Sequence, residues 1–213
     1  WKKNNLGKGW VLGETLITGI GQGYTQTTPL QLCLMTAQIA NGGYKIKPKI
    51  IVDSNPISYE DAKQSMESGL LFDTDSEELL DKKLFKNQRN IKIVQEAMFA
   101  STNERFGTSY KSRIDDPKYQ FAGKTGTAQV KRISKREREL DLELEQIPYK
   151  DRDHALYVAY GPYVNPRYAL SIIVEHGGSG SKAAAPIAKK LFKLIIDRHD
   201  LRNKQSNFER ITV

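Results

Sequence analysis

The spacing of apolar and polar residues predicts a first long helix near the start of the chain. From residue 29 to residue 40, apolar side chains populate every face, so we expect this helix to be buried on all sides. Thr28 and Gln31 form a Thr-x-x-Gln capping box, and Pro29 suits the first helical position. The glycines of Asn41-Gly42-Gly43 end the helix. The glycine-punctuated residues before it carry no predicted element.

Two further helices are predicted from apolar residues at helical spacing. One spans residues 90–103 and the other spans residues 183–197, close to the end of the chain. The residues that give these patterns are Ile91, Ile93, Val94, Ala97 and Met98 in the first helix, and Ile187, Leu191, Leu194 and Ile195 in the second.

Three strands are predicted between these two helices, at residues 119–130, 154–160 and 167–176. The short turn at Asn165-Pro166 predicts that the last two strands pair as an antiparallel hairpin. A flexible glycine-rich loop, residues 177–180, leads to the last helix. This order of elements favours an α+β fold, in which helices pack on an antiparallel sheet.

Several segments interrupt this pattern. Residues 44–52 are predicted to be extended, and residues 54–90 to form a polar surface excursion that is helical near residues 76–84. Residues 131–152 form a charged insertion between two strands. The whole chain, residues 1–213, is interpreted as the C-terminal portion of one domain.

Charge and hydropathy change this picture little. The net charge is +8, but 33 Lys and Arg are diluted by 25 Asp and Glu, and the charged insertion mixes both signs. A solvated face is therefore favoured over nucleic-acid binding. No apolar run reaches the roughly 20 residues that a membrane span needs. Because the sequence begins at Trp1, we expect it to be part of a longer chain, with any membrane anchor or export signal upstream.

The cysteine and histidine content gives no metal or cofactor prediction. Cys33 is the only cysteine, which excludes an internal disulfide, and its apolar neighbours predict a buried small hydrophobe. The three histidines lack paired-ligand spacing, so no metal site is expected. We interpret His154 as a structural residue that organises its strand through Asp153 or Arg152.

The strongest chemical signal is the run Lys124-Thr125-Gly126-Thr127, inside the first predicted strand. Gly-Lys-Thr also occurs in phosphate-binding loops. Such a loop requires a glycine five residues before Gly123, where this chain has Lys118, and it ends a strand instead of lying within one. Nucleotide binding is therefore disfavoured.

In a strand, the same four residues suit acyl transfer. Alternation places the Thr125 and Thr127 hydroxyls on one side. Gly126 allows a substrate backbone to approach and pair as an added strand. Lys124 supplies a positive charge for a carboxylate or a proton-transfer group, and the Thr127 amide is placed to donate to an oxyanion.

The motif and the segments around it resemble the penicillin-binding proteins and serine β-lactamases, in which Lys-Thr-Gly is an active-site strand. The wider match is to class B penicillin-binding proteins of the cell-elongation type, with the septal division type as the nearest rival. The segments that carry it are Gly21-Gln22-Gly23-Tyr24 and residues 28–32, 152–162, 165–169, 174–178 and 184–188.

This resemblance implies a peptidoglycan D,D-transpeptidase of the bacterial inner membrane, with the domain facing the periplasm. The implied ligands are stem peptides ending in D-Ala-D-Ala and β-lactams, and the implied partners are a glycan polymerase and elongation-complex proteins. By position, Lys124 would tune the polar network of the site. Thr125 and Thr127 would bind the terminal carboxylate, Gly126 would give clearance, and the Thr127 amide would form half of the oxyanion hole.

The family's nucleophile lies in Ser-x-x-Lys before the Lys-Thr-Gly strand, with Ser-x-Asn between the two. Ser179-Gly180-Ser181-Lys182 follows the strand, and Ser101-Thr102-Asn103 ends a helix just before it, so neither stands in the family's position. We therefore expect the nucleophile upstream of Trp1, and exposed apolar surface where that portion would pack. A non-catalytic scaffold of the same fold and a serine β-lactamase are the alternative functions.

Overall fold

The computed structural model describes residues 1–48, 83–131 and 142–211, with side chains described as far as residue 202. Residues 49–52 of the predicted extended segment, residues 54–82 of the predicted surface excursion with most of its predicted helix, and residues 132–141 of the charged insertion lie outside these residues. In the described part of the insertion, the chain forms two short 3-10 turns, Leu144–Gln146 and Tyr149–Asp151.

The elements follow one another much as the sequence predicts. The helices are α1 (Lys2–Leu6), α2 (Leu12–Gly19), α3 (Pro29–Ala40), α4 (Gln88–Asn103) and α5 (Ala185–Ile211), and the strands are β1 (Ala122–Ala128), β2 (His154–Gly161) and β3 (Tyr168–Val174). The capping box of α3 is confirmed, since Thr28 accepts from the Gln31 amide and Gln31 accepts from the Thr28 amide. Helices α1 and α2 were not predicted.

The three strands form an antiparallel sheet in the order β1-β2-β3. Thr125 of β1 lies opposite Tyr157 of β2, which in turn lies opposite Ile172 of β3. The predicted hairpin is confirmed, as is the α+β class. Among the described residues no strand pairs with the outer edge of β1, so its outward backbone groups remain available to another chain.

One face of the sheet packs against α5. Ala155, Tyr157 and Ala159 project from β2 on this face, and all three are fully buried. Phe121, just before β1, stacks on Phe192 of α5 with ring centroids 4.9 Å apart. This layer anchors β1 and β2 to the last helix.

The predicted apolar stripe of the last helix is wrong in phase and length. The residues of α5 that pack into the core are Ala185, Ala188, Phe192 and Ile196, whereas Ile187 and Leu194 are exposed. Small alanines face the sheet because they let the helix approach the strands closely. Large apolar residues one position away gave an equally regular pattern, which explains the error.

The helix also continues beyond residue 197, to Ile211. Asp197 and Asp200 on α5 both form ion pairs with Lys118, at 3.1 and 2.9 Å. Hydrogen bonds to Tyr119 and Lys118 hold the pKa of Asp197 below its ordinary value. These contacts tie the polar continuation of the helix to the segment that precedes β1.

The other face of the sheet carries α3 and α4. Ala122 and Tyr160 pack there with Met98 of α4. The prediction that α3 is buried on all sides is wrong, since Thr36 is its only buried residue and Leu30 is 62% exposed. Helix α3 covers β3 with one face, and no described element covers its opposite face. Exposed apolar surface of this kind was expected from the sequence.

Cys33 is half-buried rather than fully buried, and its thiol donates to the Ala169 carbonyl oxygen at 3.5 Å. Partial burial raises the pKa of this thiol above its ordinary value. The thiolate, which is the reactive form, is therefore disfavoured. Within the described residues, no helix is both long enough and apolar enough to span a membrane.

Candidate active site

Strand β1 presents the Lys-Thr-Gly-Thr run along the edge of the sheet. Lys124, Thr125, Gly126 and Thr127 pair in register with residues 158, 157, 156 and 155 of β2. The strand is regular, so Thr125 and Thr127 share one face, as predicted. In an antiparallel strand the backbone groups alternate between the paired edge and the free edge. A ligand that pairs with β1 would therefore meet both side chains and backbone.

The Lys124 side chain is exposed and folds back over its own strand. Its Nζ donates to the Thr125 carbonyl oxygen at 3.0 Å and lies 3.4 Å from Thr125 Oγ1. Among the described residues, no carboxylate forms an ion pair with it. The positive charge therefore lies beside the Thr125 hydroxyl, where it can bind an anionic ligand.

The Thr125 hydroxyl also belongs to a row of hydroxyl groups that sequence analysis missed. Thr125 Oγ1 lies 3.3 Å from Thr108 Oγ1, which lies 3.3 Å from Ser101 Oγ at the end of α4. When Lys124 and Thr108 both donate to Thr125, the single Thr125 proton remains for an acceptor in the ligand. This arrangement suits recognition of a carboxylate.

A buried hydroxyl cluster supports β1 from behind. The Tyr157 hydroxyl lies 2.9 Å from Thr102 Oγ1 and 3.0 Å from Ser109 Oγ, and Ser109 Oγ donates to the Ser101 carbonyl oxygen. Burial raises the pKa of Tyr157, although the bonds from Ser109 and Thr102 oppose this rise. The cluster fixes the distance between α4 and β1, and its tyrosine stays protonated at neutral pH.

Replacing Tyr157 by phenylalanine should destabilise the fold without adding bulk. The change leaves the Thr102 and Ser109 hydroxyls buried with one partner fewer each, a loss of about 1–3 kcal/mol. The free energy of unfolding from urea titration would measure it, with the exposed Tyr149→Phe as the matched control. Equal stability of the two variants would show that the cluster contributes nothing net.

Two glycines of β1 have different surroundings. A Cβ on Gly123 would lie 2.6 Å from Tyr157 Cζ, so this position has room only for glycine. Among the described atoms, a Cβ on Gly126 would meet only Leu156 Cβ, at 3.3 Å. The fold itself therefore leaves space at Gly126. This observation is consistent with the predicted clearance for a ligand backbone.

The structure places both incidental serine motifs in supporting positions. The Asn103 side-chain amide donates to the carbonyl oxygens of Phe99 and Phe121, each at 3.0 Å, and so joins the end of α4 to the start of β1. Ser179 Oγ lies 2.9 Å from Ser181 Oγ in the turn before α5. No hydrogen bond or ion pair joins Ser179 Oγ to the Lys182 amine in the described structure.

A cleft of about 620 Å³ opens beyond the far end of β1. Residues of the charged insertion, residues 177–179 and Lys182 line it. Its lining includes the carboxylates of Glu143 and Asp153 as well as amines, so it offers groups of both signs. Within the described ranges, no group of three His, Cys, Asp or Glu residues is arranged to hold a metal ion.

Comparisons with known proteins identify relatives of this chain. Residues 2–193 match the penicillin-binding protein transpeptidase domain. The chain is 32% identical over 197 residues to peptidoglycan D,D-transpeptidase MrdA of Salmonella typhimurium, covering 92% of this chain and 29% of that protein. It is 30% identical over 203 residues to MrdA of Haemophilus influenzae, covering 93% and 28%. The chain thus spans less than a third of these relatives.

Solved structures of PBP2 are also similar to this chain. A Pseudomonas aeruginosa PBP2 crystal structure in complex with WCK 5153 is 33% identical, with a TM-score of 0.65, and the match covers 91% of this chain and 36% of that one. Helicobacter pylori PBP2 in complex with MreC is 31% identical, with a TM-score of 0.63, and the match covers 91% and 30%. The similarity therefore extends over nearly all of this chain.

Proposed function

Because this chain belongs to the penicillin-binding protein transpeptidase family, in its elongation-type class B branch, we propose that it forms the Lys-Thr-Gly side of a peptidoglycan D,D-transpeptidase active site. The observation that carries the proposal is the free edge of β1, with Lys124, Thr125 and Thr127 along it and open space at Gly126. A peptide ending in a carboxylate fits this edge as an added strand.

In the proposed reaction, a serine attacks the carbonyl between two terminal D-alanines. The serine proton passes to a base, the carbonyl electrons move onto oxygen, and the Thr127 amide donates to that oxyanion. Collapse breaks the amide bond, and the leaving D-alanine amine takes up the proton. An amine of a neighbouring stem peptide then attacks the ester carbonyl and forms the new amide bond. The ester C–O bond breaks, and the amine's proton passes through the base to the released serine oxygen.

The direction of the bound peptide follows from these roles. The terminal carboxylate lies near Lys124 and Thr125, and the reacting carbonyl lies near Thr127, further along β1. Earlier residues of the stem peptide then continue beyond the end of β1, at about 3.3 Å per residue. This path leads to the cleft of about 620 Å³, whose carboxylates and amines suit a charged peptide side chain.

We place the nucleophile in a segment preceding Trp1. The two serine motifs of this chain lie at the end of α4 and in the turn before α5. The matched relatives are more than three times as long as the aligned portion. The full-length protein is the proposed enzyme, and this chain alone supplies only part of its site.

The proposed setting follows from the same relatives. One similar PBP2 was solved in complex with MreC, and we propose an elongation-complex protein of this kind as a partner, together with a glycan polymerase. We also propose a membrane-anchored enzyme whose catalytic domain faces the periplasm. β-Lactams are proposed as inhibitors that mimic the donor peptide.

Incubating the full-length protein with a stem peptide that ends in D-Ala-D-Ala, together with an acceptor amine, tests this function. We expect release of D-alanine and formation of a cross-linked product. A scaffold of the same fold would release no D-alanine. A β-lactamase would leave the peptide intact while hydrolysing a β-lactam rapidly, and either result would contradict the proposal.

A further inference from the structure

Beyond its last residue pair with β2, strand β1 is held by the side chain of Asp153, the residue just before β2. The ladder between β1 and β2 ends with Ala128 opposite His154. Two residues further on, the Val130 amide donates to Asp153 Oδ1 at 3.1 Å. The carboxylate thus replaces a ladder partner where the strand leaves the sheet, three residues after Thr127.

The same short segment also holds the loop between β3 and α5. The Asp153 carbonyl oxygen accepts from the Gly178 amide at 2.8 Å. The Arg152 carbonyl oxygen lies 2.9 Å from His176 Nδ1, and His154 Nδ1 accepts from the His176 amide at 2.9 Å. We call residues 152–154 the Arg-Asp-His junction. It joins the end of β1 to the loop at residues 176–181.

His176 is the restrained residue of this loop. Its φ is 55°, in the left-handed region that side-chain-bearing residues seldom adopt. Its amide requires an unprotonated Nδ1 on His154, and its own Nδ1 must carry a proton to donate to Arg152. The two imidazole rings lie 4.7 Å apart, edge to face. The junction therefore fixes both the backbone of His176 and the tautomers of the two histidines.

The loop held in this way rests on the backbone of the motif. A Cβ on Gly180 would lie 2.8 Å from the Gly126 carbonyl oxygen and would also collide with the Leu156 carbonyl oxygen. Gly180 is buried, and the loop backbone therefore packs directly on β1 at the residue before Thr127. Releasing the loop at His176 or Gly178 would remove this support, and releasing Val130 would free the strand end.

We infer that Asp153 and His154 are positioning residues for the Thr127 amide, which they hold from both sides through Val130 and the loop at residues 176–181. The inference rests on the proposed function, because it assigns the junction to alignment of the oxyanion donor. In the described structure, no hydrogen bond or ion pair joins either residue to the side chain of Lys124, Thr125 or Thr127. Their effect is on the transition state, where a small displacement of a backbone donor weakens a charge-stabilising bond.

The test is acylation of the full-length protein by benzylpenicillin, with the dissociation constant of the initial complex and the acylation rate constant measured separately. Asp153→Ala and His154→Leu should each lower the acylation rate constant about tenfold, with the dissociation constant changed less than about twofold. Asp153→Asn keeps the Oδ1 acceptor for the Val130 amide, and His154→Asn places an amide oxygen near the position of the Nδ1 acceptor for the His176 amide. Both variants should restore most of the rate.

Two further variants keep the result interpretable. Asp115→Ala removes an exposed carboxylate paired with Arg113, and acylation should remain at the wild-type rate. If Asp153→Ala fails to fold, His176→Gly gives a milder lesion, since glycine accepts the φ of 55° while losing the bond to Arg152. We expect it to show the same slowed acylation with unchanged initial binding.

Unchanged acylation in folded Asp153→Ala and His154→Leu would overturn the inference. So would a rate that falls in parallel with initial binding and thermal stability, or a failure of both asparagine variants to restore it, because these results describe a general structural role. Absence of any adduct on the wild-type protein is a different outcome. It would contradict the proposed function and remove the inference with it.

Discussion

Replacing Lys124 by alanine is expected to slow acylation of the full-length protein by benzylpenicillin about 100- to 1,000-fold, the range typical of removing one charge-stabilising group from an active site. Lys124 Nζ is the cation beside the Thr125 hydroxyl, and no described carboxylate pairs with it. Under the proposed function, its loss removes a positive charge from the group that binds the terminal carboxylate and from the proton-transfer network.

The measurement is the second-order rate constant of adduct formation, followed by mass spectrometry. Lys92→Ala is the matched control, because Lys92 is an exposed lysine of α4. The control should label at the wild-type rate, and both variants should unfold at the wild-type temperature. Normal labelling of Lys124→Ala would mean that Lys124 has no role in the chemistry.

Alanine at Gly123 should lower the stability of the fold, whereas alanine at Gly126 should leave stability nearly unchanged and slow acylation. The Cβ at residue 123 would overlap the fully buried Tyr157 ring, and relief of this overlap costs about 3 kcal/mol. The Cβ at residue 126 meets one described side-chain atom at 3.3 Å, so the free energy of unfolding should change by less than about 1 kcal/mol. The alanine at residue 126 should instead weaken pairing of the ligand with β1, because the ligand backbone needs the same space.

Thermal unfolding and acylation of the two full-length variants test this pair. Gly123→Ala should melt several degrees lower than wild type. Gly126→Ala should melt close to wild type and acylate about tenfold or more slowly, because a methyl group stands where the ligand strand pairs. Rapid acylation of a stable Gly126→Ala variant would contradict the assignment of β1 as a ligand-pairing edge.

Much of the fold is encoded in local pattern, and this explains why it could be predicted. The capping box at Thr28 and Gln31, the strand alternation in β2 and β3, and the short turn at Asn165-Pro166 are signals that neighbouring residues provide. They correctly placed α3, the hairpin and the α+β class. Each depends on backbone geometry more than on what lies across the core.

The errors arise where packing decides between equal local patterns. Helix α5 buries Ala188 and Phe192 instead of Leu194, since close approach to the sheet selects a stripe of small residues. In α4, Thr102 lies in the core because the Tyr157 hydroxyl provides its partner, while Ile93 is 52% exposed. Sequence spacing alone cannot choose between such stripes.

The candidate site likewise has a part that local sequence predicts and a part that only the folded chain reveals. The Lys-Thr-Gly-Thr run is predicted from sequence because its residue types and strand pattern suggest a chemistry on their own. The supporting groups Thr108, beside Thr125, and Ser109, beneath β1, were missed, and Asp153 was expected only as a partner of His154, without its bond to the end of β1. They lie far apart in sequence, and only the folded chain brings them together. The hydroxyls of Gly107-Thr108-Ser109, close before β1, were the one available signal.

Intact-mass spectrometry of this chain and of the full-length protein, each incubated with benzylpenicillin, tests the central claim most directly. We predict a lasting adduct, equal in mass to one penicillin, on the full-length protein and no adduct on this chain. That result would place the nucleophile outside residues 1–213. An adduct on this chain would contradict the account, and the turn at Ser179 would then be the first position to map.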